Sequence, residues 1–333
     1  MRRILIYIIL FAFLPGQVSA QTSFQPVNHN ASKEAKELLN YLYELKGKSI
    51  LAGQHNYPSE LLRSTDSIKA MTGKYPAIYG TDISDIDDIV VNEIIHQYKC
   101  GSIITIMYHQ VKPFDNDSLG FQRSVKGMVT DEQWKQIVTP GTKYHTMWLE
   151  KIDKRAELLK KLQDANIPVL WRPYHEMNGM WFWYGNRRGP DGIQKLWKML
   201  YDRYVNFHHL NNLIWVWNTN APRDWPNDEA YPYELFYPGP AFVDVLAADV
   251  YKNDYKQSHH DQLVALAKGK LIALGEVGVM PTPQILTAQP EWSWFMCWAS
   301  FPWTDNSRVA VTTLYNDHRV ITKDEIKKLG SNF

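Results

Sequence analysis

The chain has 333 residues, with 36 Lys plus Arg against 35 Asp plus Glu, a formal charge of +1 and no block of like charges. A near-neutral chain has no electrostatic hold on a phosphate backbone, so nucleic-acid binding is excluded from the expected functions. Hydrophobic residues make up 45% and charged residues 21%, the balance of a chain with a full core and not of a disordered one. Aromatic residues reach 13%, including 13 Trp, a surplus that neither length nor charge explains.

Residues 1–20 read as a secretory signal. Arg2-Arg3 form a basic start, Ile4 to Leu14 an apolar run of 11, and Val18-Ser19-Ala20 a small-residue cleavage site before Gln21. A membrane-spanning helix takes about 20 apolar residues, and no segment approaches that length. The expectation is export to a periplasm or to the outside, with no membrane span. No Cys stands near the cleavage site to carry a lipid. Cys100 and Cys297, well separated in the chain, are read as buried thiols in preference to a disulfide.

Beyond the signal, short apolar or β-branched runs alternate with stretches of helical spacing. The runs are Ser49–Gln54, Ala77–Ile83, Ser102–His109, Ile167–Arg172, Leu213–Asn218, Val243–Val250, Leu271–Val277 and Val309–Tyr315. Several are apolar almost throughout, as parallel strands covered on both faces are. Ser32–Leu45 opens on a Ser cap and repeats Leu38, Leu39, Leu42 and Leu45. Asp131–Ala165 holds one long or two shorter helices, and Asp191–His208, His260–Lys268 and Lys323–Leu329 supply others. This alternation predicts an α/β fold, a single (β/α)8 TIM barrel over residues 21–333. An open doubly wound sheet would carry a Gly-rich phosphate loop after its first strand, and Gly53-Gln54-His55 is not one.

In such barrels the chemistry sits at the C-terminal ends of the strands. Those ends carry His55, Asp82, His109, Arg172 to Glu176, Asn218, Tyr251, Glu276 and Tyr315-Asn316-Asp317. Glu176 follows the fourth run and Glu276 closes the seventh, so both can point inward over one mouth. Two facing carboxyls are what glycosidic bond cleavage requires. One, protonated, gives its proton to the leaving oxygen; the other attacks the anomeric carbon or activates water. Aromatics around Glu176 would favour its neutral form, and polar donors near Glu276 would keep that group ionised. The competing reading makes each Glu an isolated salt-bridge partner. Trp181-Phe182-Trp183-Tyr184 favours catalysis, because four consecutive aromatics cannot all face one core, and flat sugar faces stack on aromatic rings. Trp181 is expected in the cleft, while Trp183 stands evenly between the cleft and a plug of the barrel top.

The run Trp171-Arg172-Pro173-Tyr174-His175-Glu176-Met177-Asn178-Gly179-Met180-Trp181-Phe182-Trp183 closely resembles the acid/base segment of glycoside hydrolase family 26. That family consists mainly of endo-β-1,4-mannanases, with some β-1,3-xylanases and lichenases. Similar features continue in Gly53-Gln54-His55, Tyr108-His109, Tyr237-Pro238-Gly239, Asp249-Val250-Tyr251 and Gly275-Glu276. The resemblance implies a (β/α)8 barrel, a retaining mechanism through a covalent glycosyl-enzyme intermediate, and no metal or other cofactor for the chemistry. Its implied substrate is β-mannan, galactomannan or a manno-oligosaccharide, and a monomer is expected. Carried onto this chain, it makes Glu176 the acid/base and Glu276 the nucleophile. His175 would orient the acid/base, Tyr251 would hydrogen-bond the nucleophile, and Arg172 would be a positioning group. His109 and Trp181 would line the subsite of the scissile sugar. The family often places Trp-Arg-Asn at the last strand end, where this chain has Leu314-Tyr315-Asn316-Asp317. Tyr315 then stands in the place of the Arg as a substrate-binding residue, which leaves endo or disaccharide-releasing action open.

Other constellations read as structural. His208-His209 and His259-His260 are taken as solvated residues near helix ends, because adjacent helical side chains point about 100° apart and rarely share an ion. Asp85-Ile86-Asp87-Asp88 and Asp115-Asn116-Asp117 lack the glutamate that completes an EF-hand loop. Trp292, Trp294, Trp298 and Trp303 are read as packing near the seventh helix, ahead of an extended sugar platform. Two other function classes compete. A metal-dependent hydrolase could use His55, His109 and His175, but that class commonly needs a His-x-His pair, and Gln54-His55-Asn56 supplies one His. A barrel that binds sugar without cleaving it would be signalled by loss of either Glu.

Overall fold

The computed structural model describes residues 24–84 and 87–326. The signal segment, Asp85-Ile86 and the end of the last expected helix lie outside the described residues. Eight parallel strands form a closed ring: β1 (Ile50–His55), β2 (Ile78–Asp82), β3 (Ile103–Tyr108), β4 (Val169–Pro173), β5 (Leu213–Asn220), β6 (Val245–Val250), β7 (Leu271–Val277) and β8 (Trp292–Cys297). Each pairs with the next, and β8 returns to β1 with Leu51 opposite Trp294 and Gln54 opposite Cys297. A two-residue strand, Val320–Ile321, adds to β1.

The first seven expected runs match strands to within two residues at either end. The eighth does not. Val309–Tyr315 lies in a helix, Arg308–Tyr315, whose N-cap Ser307 accepts from the Ala310 amide at 3.1 Å. Its β-branched residues imitate a strand, but Val311, Leu314 and Tyr315 are buried while Val309 is exposed, which is the helical period. The strand is instead Trp292–Cys297, buried throughout, with Trp294 and Met296 inside the barrel and Phe295 and Cys297 under the outer layer.

The helices are α1 (Lys33–Leu45), α2 (Arg63–Thr72), α3 (Asp88–Lys99), α4 (Asp131–Ile137), α5 (Lys143–Asp164), α6 (Ile193–Asp202), α7 (Gln257–Ala267), α8 (Pro283–Ala288), α9 (Phe301–Thr304) and α10 (Arg308–Tyr315). In α1 the expected Ser32 cap accepts from the Ala35 amide at 3.2 Å. Ala35, Leu38, Leu39 and Leu42 join Leu51, Ile78, Ile103, Leu170, Ile214 and Trp294 in one buried cluster, so α1 seals the N-terminal end of the barrel. The C-terminal end is left for the site. After β5 the chain forms an antiparallel hairpin, Arg223–Trp225 with Asp228–Ala230, where the other units would place a helix. Both cysteines are free; Cys297 is buried as expected, but Cys100, at the end of α3, is exposed. Among the described residues no helix is long and apolar enough to cross a membrane.

Candidate active site

The two-residue alternation of a strand decides which side chains reach the mouth. Leu170 on β4, Val216 on β5 and Ala247 on β6 face the interior. Two residues further on, Arg172, Asn218 and Asp249 therefore point inward at the top. On β7, Leu274 packs outside, and an uninterrupted strand would turn Glu276 outward with it. The register with β6 shifts at this point: Ala248 lies opposite Leu274, but Asp249 lies opposite Glu276. Gly275 is the extra residue of this bulge, and the bulge re-aims Glu276 into the mouth. A Cβ at Gly275 would lie 1.8 Å from Asn218 Oδ1, so the position takes only glycine.

Glu176 arrives by a turn. β4 ends at Pro173, and Tyr174 and Glu176 adopt left-handed backbone conformations with φ of +48° and +54°. Such residues cost about 1–3 kcal/mol each and persist where their surroundings fix them. The buried Tyr174 hydroxyl accepts from Trp148 Nε1 at 2.7 Å and donates to Gln110 Oε1 at 2.8 Å. The Glu176 amide donates to the Asn218 carbonyl at 2.8 Å.

The two carboxyls have unequal neighbours. Glu176 is buried, and its oxygens accept from two neutral groups, Trp181 Nε1 at 2.7 Å and Asn220 Nδ2 at 2.5 Å. Burial, followed by the charge of Glu276, raises its pKa from 4.5 to about 7. Glu276 is buried too, and burial pushes it upward, but Arg172 and the Tyr251 hydroxyl pull it back. Both Arg172 terminal nitrogens lie 3.4 Å from Glu276 Oε1, and Tyr251 donates to Oε2 at 2.6 Å. The cation and hydroxyl beside Glu276 favour its carboxylate, and that charge in turn disfavours ionisation of Glu176. Arg172 is itself anchored, donating at 2.8 Å to both Asn218 Oδ1 and the Gly275 carbonyl. Asn218 Nδ2 donates at 2.7 Å to Asp249, which burial and then Glu276 push well above the carboxylate range.

Beside this pair lies a cavity of about 380 Å³, lined in part by His55, Tyr57, Asp82, His109, Phe121 and Trp298. It flanks the carboxyls and is joined to them through His109, whose ring meets His175 edge-on at 4.5 Å. His109 Nδ1 hydrogen-bonds Asp82, whose second oxygen accepts from the Ser84 amide at 2.7 Å and hydroxyl at 2.6 Å. Burial pushes Asp82 up, but His109 and Ser84 outweigh it and hold the group below its ordinary value. His55 stacks on Trp298 at 4.1 Å, and burial drives its pKa down to about 3, so the ring is neutral.

The structure thus brings together Glu176, Glu276, Arg172, Tyr251, Trp181, His175 and His109. His175 stands otherwise than expected. Its ring carries Nε2 to 3.8 Å from Glu276 Oε1, and Trp181 and Asn220 do the holding of Glu176. Burial keeps His175 well below the usual histidine range, hence neutral. Tyr315 is not at the mouth at all: it belongs to α10, fully buried, with its ring 6.1 Å from Phe295 on the outer face of β8. With β8 reassigned, the last strand ends in Cys297-Trp298-Ala299-Ser300, so Trp298 lines the cavity and is no mere packing residue. Trp292 and Trp294 are buried packing residues. Trp183 is buried and donates to the Gln110 carbonyl at 2.7 Å, which makes it the plug. Asp82 and Asn218 were visible as polar strand ends and Asp249 within the Asp249-Val250-Tyr251 string, whereas Asn220 carried no signal.

Residues 27–325 match the family model of Glycosyl hydrolase family 26. The chain belongs to that family. It is a glycoside hydrolase. A relative from Thermothelomyces thermophilus, named mannan endo-1,4-beta-mannosidase, is 36% identical over 322 residues, which cover 90% of this chain and 63% of the relative. One from Bacillus subtilis with the same name is 30% identical, covering 97% of this chain and 94% of the relative. Among solved structures, GH26A from a Muricauda species superposes with a TM-score of 0.88 at 50% identity, covering 90% of this chain and 99% of the other.

Proposed function

We propose that the protein is an endo-β-1,4-mannanase that cleaves β-mannan and galactomannan with retention, through a covalent glycosyl-enzyme intermediate. The observation that carries this reading is the unequal pair at one mouth: Glu176 among neutral donors with a pKa near 7, and Glu276 against Arg172 and Tyr251. The names of the relatives support the substrate. Glu176, neutral, gives its proton to the glycosidic oxygen while Glu276, ionised, attacks the anomeric carbon. The aglycone leaves, and Glu176, now a carboxylate, draws a proton from water that hydrolyses the ester. As charge leaves Glu276 on bond formation, it falls on Glu176, and the two donors of Trp181 and Asn220 are placed to receive it.

The cavity beside His109 is the natural seat of the glycone sugar, with Trp298 as an apolar face and Asp82 holding His109 in one orientation. One barrel carries both carboxyls, which supports action as a monomer. The basic and then apolar start, with its small-residue cleavage site, supports export to a periplasm or to the outside. The deciding experiment incubates the protein with unbranched mannan, galactomannan, β-1,3-xylan and mixed-linkage β-glucan and separates early products by length. Glu276→Ala should abolish release from mannan while staying folded. Wild-type turnover in that variant, or release from xylan or glucan alone, would overturn the reading.

A further inference from the structure

Two neutral donors hold Glu176, and one side chain holds both donors. Arg223 Nη1 donates to Asn220 Oδ1 at 2.6 Å, and its guanidinium carbon lies 4.9 Å from the centre of the Trp181 ring. The hairpin grips the same guanidinium from behind. Nη2 reaches Asp228 Oδ1 at 2.7 Å, Nε reaches the Asp228 carbonyl at 2.9 Å, and the Trp225 ring lies at 4.6 Å. The Arg223 side chain is only 8% exposed, so it is fixed between two indoles.

A guanidinium can only donate. Asn220 must therefore turn its oxygen to Arg223, which leaves Nδ2 for Glu176 Oε1. The indole N–H of Trp181 also only donates. Each oxygen of Glu176 thus receives a hydrogen bond that it cannot return, and a proton on Glu176 has no acceptor in either neighbour. That proton stays free for the leaving oxygen. Without Arg223, the Asn220 amide could turn over and accept the proton on Oδ1, which would stabilise the neutral acid and withhold its proton from the substrate.

We propose that Arg223 is a positioning residue for the acid: it fixes the polarity of the Asn220 amide and the seat of the Trp181 ring, so that the Glu176 proton faces the substrate. This rests on the reading of Glu176 as the general acid. The titratable and charged groups facing Glu176 are Glu276 on β7, Asp249 on β6, Tyr251 beyond it, Tyr184 after β4 and Arg223 itself. Of these, Arg223 is the cation among the groups that hold Glu176 down against burial and Glu276.

The test measures kcat/KM against pH for Arg223→Met and Arg223→Lys, on mannan and on an aryl mannoside with an activated leaving group. Arg223→Met should lose about tenfold or more on mannan and far less on the aryl substrate, because only the poor leaving group needs the proton. Its basic limb should move to higher pH by about half a unit or more, since loss of the cation and an amide turned over both favour neutral Glu176. Arg223→Lys still donates to Asn220 and should recover most of both. Asp228→Asn weakens one grip on the guanidinium but keeps the bond from Nε to the Asp228 carbonyl and the bond to Asn220, so it should move the limb much less than Arg223→Met. Equal losses on the two substrates with an unmoved limb, or an Asp228→Asn limb that moves as far, would overturn the proposal. Glu176→Ala, measured alongside, separates the two claims. A leaving-group-selective loss there and none in Arg223→Met would remove Arg223's role alone, whereas equal losses in Glu176→Ala would remove the acid itself.

Discussion

Tyr251→Phe isolates what one hydroxyl does to Glu276. The hydroxyl donates to Oε2 at 2.6 Å, and burial together with Glu276 pushes its own pKa well above the usual tyrosine value, so it is a donor throughout the working range. Phenylalanine keeps the ring, including its edge contact with Phe301 at 6.1 Å. A hydrogen bond to a charged group is worth about 1.5–3 kcal/mol, and about 1.4 kcal/mol corresponds to one pKa unit. The carboxylate loses that bond and the neutral acid loses less, so the Glu276 pKa should rise by about one to two units. The acid limb of kcat/KM, which reports ionisation of Glu276, should move up by that amount. The basic limb is set by Glu176 near 7 and should move much less. The limbs close on each other, so the optimum narrows and its height falls. The assay is kcat/KM on mannan from acid to alkaline pH, with an unfolding curve to show that the barrel persists. An acid limb left in place, with activity lowered equally at every pH, would refute the reasoning and assign the charge of Glu276 to Arg172.

Three further outcomes follow from the same geometry. Asp82 is held below its ordinary value of 3.8, so it stabilises the fold above that pH and ceases to as pH falls through its lower folded value. Asp82→Asn should therefore cost about 1–3 kcal/mol at neutral pH by denaturant unfolding, and a gap that failed to shrink in acid would contradict the assignment. Gly275→Ala should drive a methyl into Asn218 and through it move Arg172, lowering stability by about 1–3 kcal/mol or more and activity with it; a variant with native kinetics would show that the bulge has room. Tyr315→Phe removes a buried hydroxyl that has no hydrogen-bond partner among the described residues, so activity should be unchanged and the unfolding midpoint equal or higher, whereas Trp298→Ala should raise KM on mannan. A loss of activity in the first, or none in the second, would put the last strand end back at Tyr315.

Sequence reading reached the site wherever periodicity and chemistry agreed. Seven strands announced themselves by largely apolar runs, and on β4, β5 and β6 the polar residue two steps beyond an interior one is at the mouth, as Arg172 is after Leu170; on β7 the bulge at Gly275 moves that place to Glu276. It failed where a local pattern was ambiguous. Trp292–Cys297 is a strand rich in aromatics and preceded by a short helix, and Val309–Tyr315 is a helix rich in β-branched residues, so composition pointed to the wrong one of the two. Tyr315 was misplaced for that reason alone. His175 was a different failure: adjacency to Glu176 in the chain says nothing of which carboxyl its ring meets once two left-handed residues turn the backbone. Asn220 and Arg223 were invisible because their roles arise from a hairpin folding back onto the mouth.

The difference between two identical side chains is therefore made by the strands around them. Glu276 reaches the mouth on a bulged strand whose glycine admits Asn218, and Asn218 in turn holds the guanidinium that keeps Glu276 charged. Glu176 reaches it on a strained turn into a shell of indole and amide, the Trp181 and Asn220 donors to its two oxygens. Exchanging the two residues would change nothing, since both are Glu; exchanging their neighbours would exchange their chemistry. Arg172 is the pivot of that asymmetry. It follows an interior leucine on β4 by two residues, yet its charge is delivered to β7 and not to Glu176, four residues further along its own segment. A substitution such as Arg172→Met would leave Glu276 with burial against the Tyr251 hydroxyl and the nearby His109, and the proton on Glu176 would be shared more evenly between the two carboxyls. On the proposed mechanism the attacking carboxyl would then be neutral for part of the population wherever the acid is still protonated, so Arg172 has a large share in the order of ionisation.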